Sequence, residues 1–258
     1  MRISTRNAAF QQWQALLTNR TKRNRSGEFL VHGVRPITLA VEHGWTVRTL
    51  IHTADRRLST WASGLLDAVD APAVAMSGEL LAELAGKPDA EVVAVLALRP
   101  DDLGRVTVGP DFLGVAFDRP SDPGNIGAVV RSADAFGAGA VIVTGHAADA
   151  YDPKAIRAST GSFFHLPVIR VPSHADVLAA NWPAQIIGTD EGGTIPIMEH
   201  DLRGPTLLVI GNETRGLSAG WREACDALVS IPIGGAASSL NAANAASIAL
   251  YEARRQRG

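Results

Sequence analysis

A chain of 258 residues has room for one large domain or two of ordinary size. Its 46% hydrophobic and 19% charged residues belong to a folded protein that keeps a polar surface, which excludes a disordered or fibrous chain. The longest strictly apolar run, 92-VVAVLAL-98, is too short to cross a bilayer, the start MRISTRNAAFQQW has no apolar signal core, and the single Cys225 excludes an internal disulfide and a multi-cysteine metal site, so a cytoplasmic protein is expected.

The net charge of −2 hides an uneven distribution. Residues 1–57 hold 10 Lys/Arg against 3 Asp/Glu, a balance of +7, and the rest hold 14 against 23, a balance of −9. Four cations fall within 18-TNRTKRNR-25. This stretch reads either as an electrostatic footprint for a polyanion or as an ordinary solvated loop.

In chain order, Ala8, Phe10, Trp13, Leu16 and Leu17 outline one apolar face and predict a helix over 7–19. A short strand at 29-FLVHG-33 precedes a helix from Pro36. Strand 47–52, a helix near 58–69, strand 73–76, helix 77–86 ended by Gly86, and strand 91–98 complete an α/β unit of about 100 residues. The Pro-, Gly- and charge-rich stretch around 101–110 reads as a linker to a second alternation over 111–258. There, strands are expected at 112–117, 140–144, 166–171, 185–189, 206–211 and 228–233, and helices at 126–136, 153–161, 173–180, 219–224 and 241–256. Near-continuous apolar strands separated by helices predict a parallel sheet covered on both faces.

Three strand exits of that second unit are unusual: 118-DRPSDPGNIG-127, 211-GNETRGLS-218 and 234-GGAASSLN-241. Ligands of open parallel sheets sit outside the C-terminal strand ends, and small residues there allow close backbone approach. The common signatures are missing: no G-x-G-x-x-G opens a helix after the first strand, no G-x-S-x-G or H-E-x-x-H occurs, and Leu217 stands where a P-loop has lysine.

Taken together, 125-NIGAVVRSADAFGA-138, 209-VIGNETRGLS-218 and 231-IPIGGAASSLNAANAA-246 resemble the three signature motifs of the SpoU (TrmH-type) branch of the SPOUT RNA methyltransferases. The resemblance covers roughly residues 111–256, and 22-KRNRSGEFLVHGVRPITLAVEHG-44 is similar to the L30e-like substrate domain of such enzymes, here assigned to 1–100. It implies a SPOUT domain with a deep C-terminal trefoil knot, S-adenosylmethionine as methyl donor, a ribose 2′-hydroxyl of RNA as acceptor, a homodimer and no metal. It extends to antibiotic-resistance members that act on large-subunit ribosomal RNA. Ser238 stands where many relatives have Glu or Gln, and 242-AANAA-246 replaces a commoner Val-Ser-Val-Ala run.

The resemblance assigns a catalytic set of Asn125, Arg131, Glu213, Ser239 and Asn241. From the residues alone, Arg131 is a solvent-facing charge on an apolar helix, Asn125 a helix N-cap, Glu213 a surface acid, and Ser239 or Asn241 the cap of the last helix. Since arginine stays protonated, the expected role of Arg131 is to orient the 2′-oxygen or a phosphate and to stabilise developing negative charge. Cofactor contacts are expected at Gly211, Asn212, Ile231, Ile233 and Leu240, largely through main chain, and RNA contacts at Lys22, Arg23, Arg25 and Arg35. Ribosomal RNA is the expected substrate because of the separate basic N-terminal unit. The alternatives are transfer RNA, a catalytically silent RNA-binding protein of the same fold, and a small-molecule nucleotide enzyme.

Overall fold

In the computed structural model, which describes residues 2–258, the chain divides into two compact units. One comprises the chain through Arg99 together with Tyr151–Ile156; the other comprises Pro100–Ala150 and Arg157–Gly258.

The first unit contains β1 (Arg2–Ile3), α1 (Ala8–Thr18), α2 (Arg20–Ser26), β2 (Glu28–His32), α3 (Val34–Glu42), β3 (Val47–Thr53), α4 (Thr60–Ala68), β4 (Ala73–Met76), α5 (Gly78–Ala85) and β5 (Val92–Ala97). The Asn7 side chain accepts the Phe10 N–H to start α1, which buries Phe10 and Leu16. The sheet order is β1-β4-β3-β5-β2, parallel across β1, β4 and β3 and antiparallel where β5 lies between β3 and β2.

The basic stretch 18–25 is not a loop. Asn19 caps α2 by accepting the Lys22 N–H, and Gly27, at φ 68°, ends it. A helix fixes which cations face outward: Lys22, Arg25 and Arg35 are exposed, whereas Arg23 is only 2% exposed. The assignment of Arg23 to RNA contact is therefore corrected. Its Nη1 donates to the Leu16 carbonyl at 2.5 Å and its Nη2 lies 3.8 Å from Asp152, because a buried guanidinium must find acceptors.

The second unit contains β6 (Leu113–Asp118), α6 (Pro123–Ala135), β7 (Ala140–Thr144), the end of α7 (Pro153–Ala158), β8 (Val168–Val171), α8 (His174–Ala179), β9 (Gln185–Thr189), β10 (Ile195–Pro196), β11 (Thr206–Ile210), α9 (Ala219–Ala224), β12 (Ala227–Ser230) and α10 (Ala242–Arg257). All neighbours in its seven-stranded sheet, β10-β12-β9-β11-β6-β7-β8, are parallel, as expected from the apolar strands. Every residue of β6, β7 and β11 is buried. The chain runs outward from β6 to β7 and β8, then returns on the other side through β9 and β11. The β6/β11 boundary is thus a topological switch point. Residues 101–110 carry a short 3-10 turn at Leu103–Arg105, and Val106 joins the core of this unit.

Helix α10 packs on α6 through small residues, with Ala242, Ala243, Ala246 and Ala249 buried and Ser132 and Ser247 hydroxyls hydrogen-bonded at 2.7 Å. Its last turn is fastened by Arg257. That side chain donates to the carbonyls of Leu202 (2.9 Å), Asp111 (2.7 Å), Phe112 (3.2 Å) and Gly204 (2.6 Å). Burial pushes the Arg257 guanidinium below its usual pKa, yet it stays charged at any physiological pH. Replacing Arg257 with Ala strands these carbonyls and is expected to cost roughly 1.5–3 kcal/mol, read as a lower urea midpoint with unchanged slope.

Candidate active site

The strand exits on either side of the switch point are stitched together by side chains. Glu213 is the hub. Its Oε2 accepts the Ser121 N–H (3.0 Å), the Ser121 hydroxyl (2.8 Å) and Asn212 Nδ2 (3.3 Å), and its Oε1 accepts Asn125 Nδ2 at 2.9 Å. Burial raises its pKa, but the bonds from Asn125 and Ser121 outweigh this and hold the carboxyl below its ordinary value. Asn125 Oδ1 in turn accepts Asn241 Nδ2 at 3.2 Å. Three residues from three separate motifs, Asn125, Glu213 and Asn241, therefore form one continuous chain of hydrogen bonds.

Local structure explains each position. Helix α6 starts at Pro123, with the Asp122 side chain accepting the Gly124 N–H, so Asn125 is not the cap expected from the sequence. It is the third residue of the first turn, and its amide reaches Glu213 and Asn241. Asn241 does cap α10, its Oδ1 accepting the N–H groups of Ala243 (2.9 Å) and Asn244 (3.3 Å) while its Nδ2 turns to Asn125. One amide thus both starts the helix and joins the polar chain.

The 211–217 loop is closed by a reciprocal pair of 3.0 Å bonds between the backbones of Asn212 and Gly216. Gly216 has φ 62°, in the region that favours glycine, and a Cβ on Gly211 would meet the Gly216 carbonyl carbon at 2.5 Å and Leu217 N at 2.6 Å. Asp118 and Arg119 hold this loop from β6. The buried Asp118 carboxylate accepts Ser218 N–H at 2.8 Å and is paired with Arg119 at 3.0 Å; Arg119 Nη2 also donates to the Gly216 carbonyl at 3.2 Å. Arg119 adopts φ 51°, a strained value for a residue with a Cβ.

The 211–217 loop, the turn after β9 and residues 230–233 and 238–240 surround a cavity of about 500 Å³. Its wall includes Gly211, Asn212, Glu213, Ile231, Ile233, Ser239 and Leu240, so every residue expected to contact the cofactor lines one space. Ile233 and Leu240 are exposed apolar side chains at its edge. Ser239 lines the cavity with no hydrogen-bond partner among the described residues. Arg131 is not brought to this cluster within one chain. Six residues along α6 from Asn125, it is turned by about 240° and displaced by about 9 Å, and it is exposed.

Asp118, Arg119, Ser121, Asp190 and Arg222 were missed in the sequence. The first three stand in 118-DRPS-121, a charged pair ending a wholly apolar strand, which was a usable signal. Asp190 and Glu191 follow β9 in the same way and also line the cavity. Among the described residues no group of three or more His, Cys, Asp or Glu is placed to hold a metal ion, and no helix is long and apolar enough to cross a membrane.

A parallel sheet with a nucleoside-sized cavity beyond the C-terminal ends of β9, β11 and β12, next to the switch point and walled in part by a glycine-containing loop and a polar hub, defines a ligand-binding α/β enzyme. The chain belongs to the SpoU rRNA methylase family, whose profile matches residues 113–251, and residues 7–95 match the SpoU L30e-like domain. It is 59% identical over 265 residues to a 23S rRNA (uridine(2479)-2′-O)-methyltransferase of Streptomyces viridochromogenes, covering 99% of this chain and 92% of that one. The crystal structure of the SpoU methyltransferase AviRb from S. viridochromogenes, in complex with the cofactor AdoMet, superposes with a TM-score of 0.93 at 59% identity, covering 98% of both chains. An AdoMet-bound rRNA methyltransferase from Sinorhizobium meliloti superposes with a TM-score of 0.90 at 27% identity, over 99% of this chain and 97% of that one.

Proposed function

We infer that this protein transfers a methyl group from S-adenosylmethionine to a ribose 2′-hydroxyl of large-subunit ribosomal RNA, with a uridine as the methylated nucleotide. The observation that carries this reading is the end-to-end 59% identity to a 23S rRNA uridine 2′-O-methyltransferase. The residues present fit the cofactor: the cavity volume is that of a small-molecule site, and Gly211, which has no room for a Cβ against the Gly216 and Leu217 backbone, lets the loop along its wall fold tightly on itself. When bound, the cofactor supplies a methyl group already activated by its sulfonium. Isothermal calorimetry with S-adenosylmethionine is expected to show one site per chain; no binding would favour a silent RNA-binding protein.

The residues of the chain then have the work of alignment. Backbone around Gly211, Ile231 and Leu240 holds the cofactor. Ser239, unpartnered and next to the α10 N-terminus, is suited to bind a phosphate of the target nucleotide, with the positive helix end beside it. All lone pairs of Glu213 that face Asn125 and Ser121 are engaged, so its part is to fix the three loops rather than to take a proton. Arg131 orients the 2′-oxygen or the phosphate. Because it lies apart from the cavity of its own chain, this role goes with a homodimer in which α6 of one subunit faces the site of the other. Ile248, 39% exposed, and Tyr251, 55% exposed, on α10 support such an interface, and the mass of a single chain in light scattering would remove it. Arg131→Lys keeps the charge but loses the planar fork and is expected to lower methyl transfer at least tenfold with cofactor affinity unchanged; a near-normal rate would sink the orienting role.

The trefoil knot belongs to the same proposal. It is supported by the path of the chain, which leaves β12, runs along the cavity as Ile231–Leu240 and returns as α10 against α6 and β11. Activity on ribosomal RNA would require the cytoplasm. For RNA affinity we propose the exposed Lys22, Arg25 and Arg35, without the buried Arg23. Replacing the three by Gln is expected to weaken RNA binding and to reduce the slope of log affinity against log salt by about 2 to 3; an unchanged slope would refute it.

A further inference from the structure

Asp190 is a nearly buried carboxylate on the cavity wall that none of the three signature motifs contains. Its side chain is 6% exposed, and a carboxylate so far from water needs partners. Its Oδ1 accepts the Gly192 N–H at 2.9 Å, and its Oδ2 lies 2.6 Å from Arg222 Nη2. A carboxylate offers roughly four lone-pair positions, so these two contacts leave acceptor capacity unused, and Asp190 is among the residues that line the cavity.

The position is rigid. Asp190 N–H donates to the Val229 carbonyl at 2.9 Å, Gly193 N–H donates to the Asp190 carbonyl at 3.0 Å, and a Cβ on Gly193 would lie 2.5 Å from the Val229 backbone. The turn after β9 is thus pressed onto β12. On the opposite side, the direction of a Cβ on Gly216 points within 3.9 Å of both Asp190 Oδ2 and Arg222 Nη2. The ion pair therefore sits directly against the glycine loop whose backbone is open to close approach.

We propose that Asp190 receives the 2′- and 3′-hydroxyls of the cofactor's own ribose, with Arg222 as a positioning residue that fixes the carboxylate. This rests on the cofactor reading above. A vicinal diol presents two donors side by side and needs a fixed acceptor. An acidic residue just beyond a strand of a parallel sheet is a recurrent solution for nucleoside ribose. Glu191 also lines the cavity, but it is exposed, so its carboxylate gains less from a hydroxyl donor than a desolvated one does.

The experiment is calorimetric binding of S-adenosylhomocysteine, its 2′-deoxy and 3′-deoxy analogues, and 5′-methylthioadenosine, which keeps the ribose but lacks the amino acid. Wild type is expected to bind both deoxy analogues about 10- to 100-fold more weakly than the parent. Asp190→Asn is expected to weaken S-adenosylhomocysteine and methylthioadenosine by that same factor and to abolish the deoxy penalty, with an unchanged melting temperature of the free protein. Equal binding of parent and deoxy compounds to wild type would overturn the proposal even were the variant unfolded. Loss confined to S-adenosylhomocysteine would overturn it too, by assigning Asp190 to the amino-acid ammonium. Failure of wild type to bind any of the compounds would instead overturn the cofactor reading itself.

Discussion

Gly211→Ala is expected to abolish most cofactor binding while leaving RNA binding intact. The added methyl would lie 2.5–2.9 Å from three backbone atoms of Gly216 and Leu217, and backbone cannot rotate away as a flexible side chain can. The loop must open, and with it the reciprocal Asn212–Gly216 bonds and the Arg119 contact to the Gly216 carbonyl. Overpacking of this kind costs about 1–3 kcal/mol, or roughly 10- to 100-fold in affinity for a ligand that the loop itself holds. Calorimetry reads the loss, and a native-like melting curve separates it from global unfolding. Wild-type cofactor affinity in this variant would mean that the 211–217 loop does not wall the site.

Glu213→Gln is expected to slow methyl transfer by about 10- to 100-fold. The substitution keeps size and shape, but Oε1 and Oε2 both accept only from donors: Asn125 Nδ2 on one side, Ser121 N–H, Ser121 hydroxyl and Asn212 Nδ2 on the other. Whichever way the new amide points, its NH₂ faces another donor. Asn125 is then loosened, and Asn241 with it. The same network sets a pH dependence. Because the folded-state pKa of Glu213 is lowered from 4.5, its contribution is fully present above that value and is lost as pH falls through the lowered one. Near neutral pH Glu213 is therefore ionised, and activity there does not vary with its titration. A rate for Glu213→Gln within twofold of wild type would show that the three loops hold their arrangement without the hub.

The division of the chain between legible and illegible parts follows the physics of each signal. The second sheet was legible because strands buried on both faces are near-continuous apolar runs. The antiparallel edge of the first sheet was not, since β2 and β5 pair through backbone and carry no mark of direction. The two-residue strands β1 and β10 are too short to show any period. Helix α2 was hidden because its sequence, RTKRNRS, has no apolar face; caps at Asn19 and Gly27 hold it, and its one inward group is an arginine. For the site, Asn241 as a cap could be read locally, whereas its second bond to Asn125, 116 positions away, could not. The pair Asp122-Pro123 was the true start of α6, an N-cap followed by proline at the first helical position, and it was obscured by the turn-like run around it. Asp118, Asp190 and Arg222 act through contacts made only after folding.

The most direct test is to incubate the purified protein with ribosomal RNA and transfer RNA in the presence of methyl-labelled S-adenosylmethionine and to map the labelled nucleotide. Label at a single uridine ribose of the large-subunit RNA, resistant to alkaline cleavage at that position and strongly reduced with Gly211→Ala at limiting cofactor, is the expected result. Label on a base, label on transfer RNA alone, or no label with intact wild-type protein would contradict it.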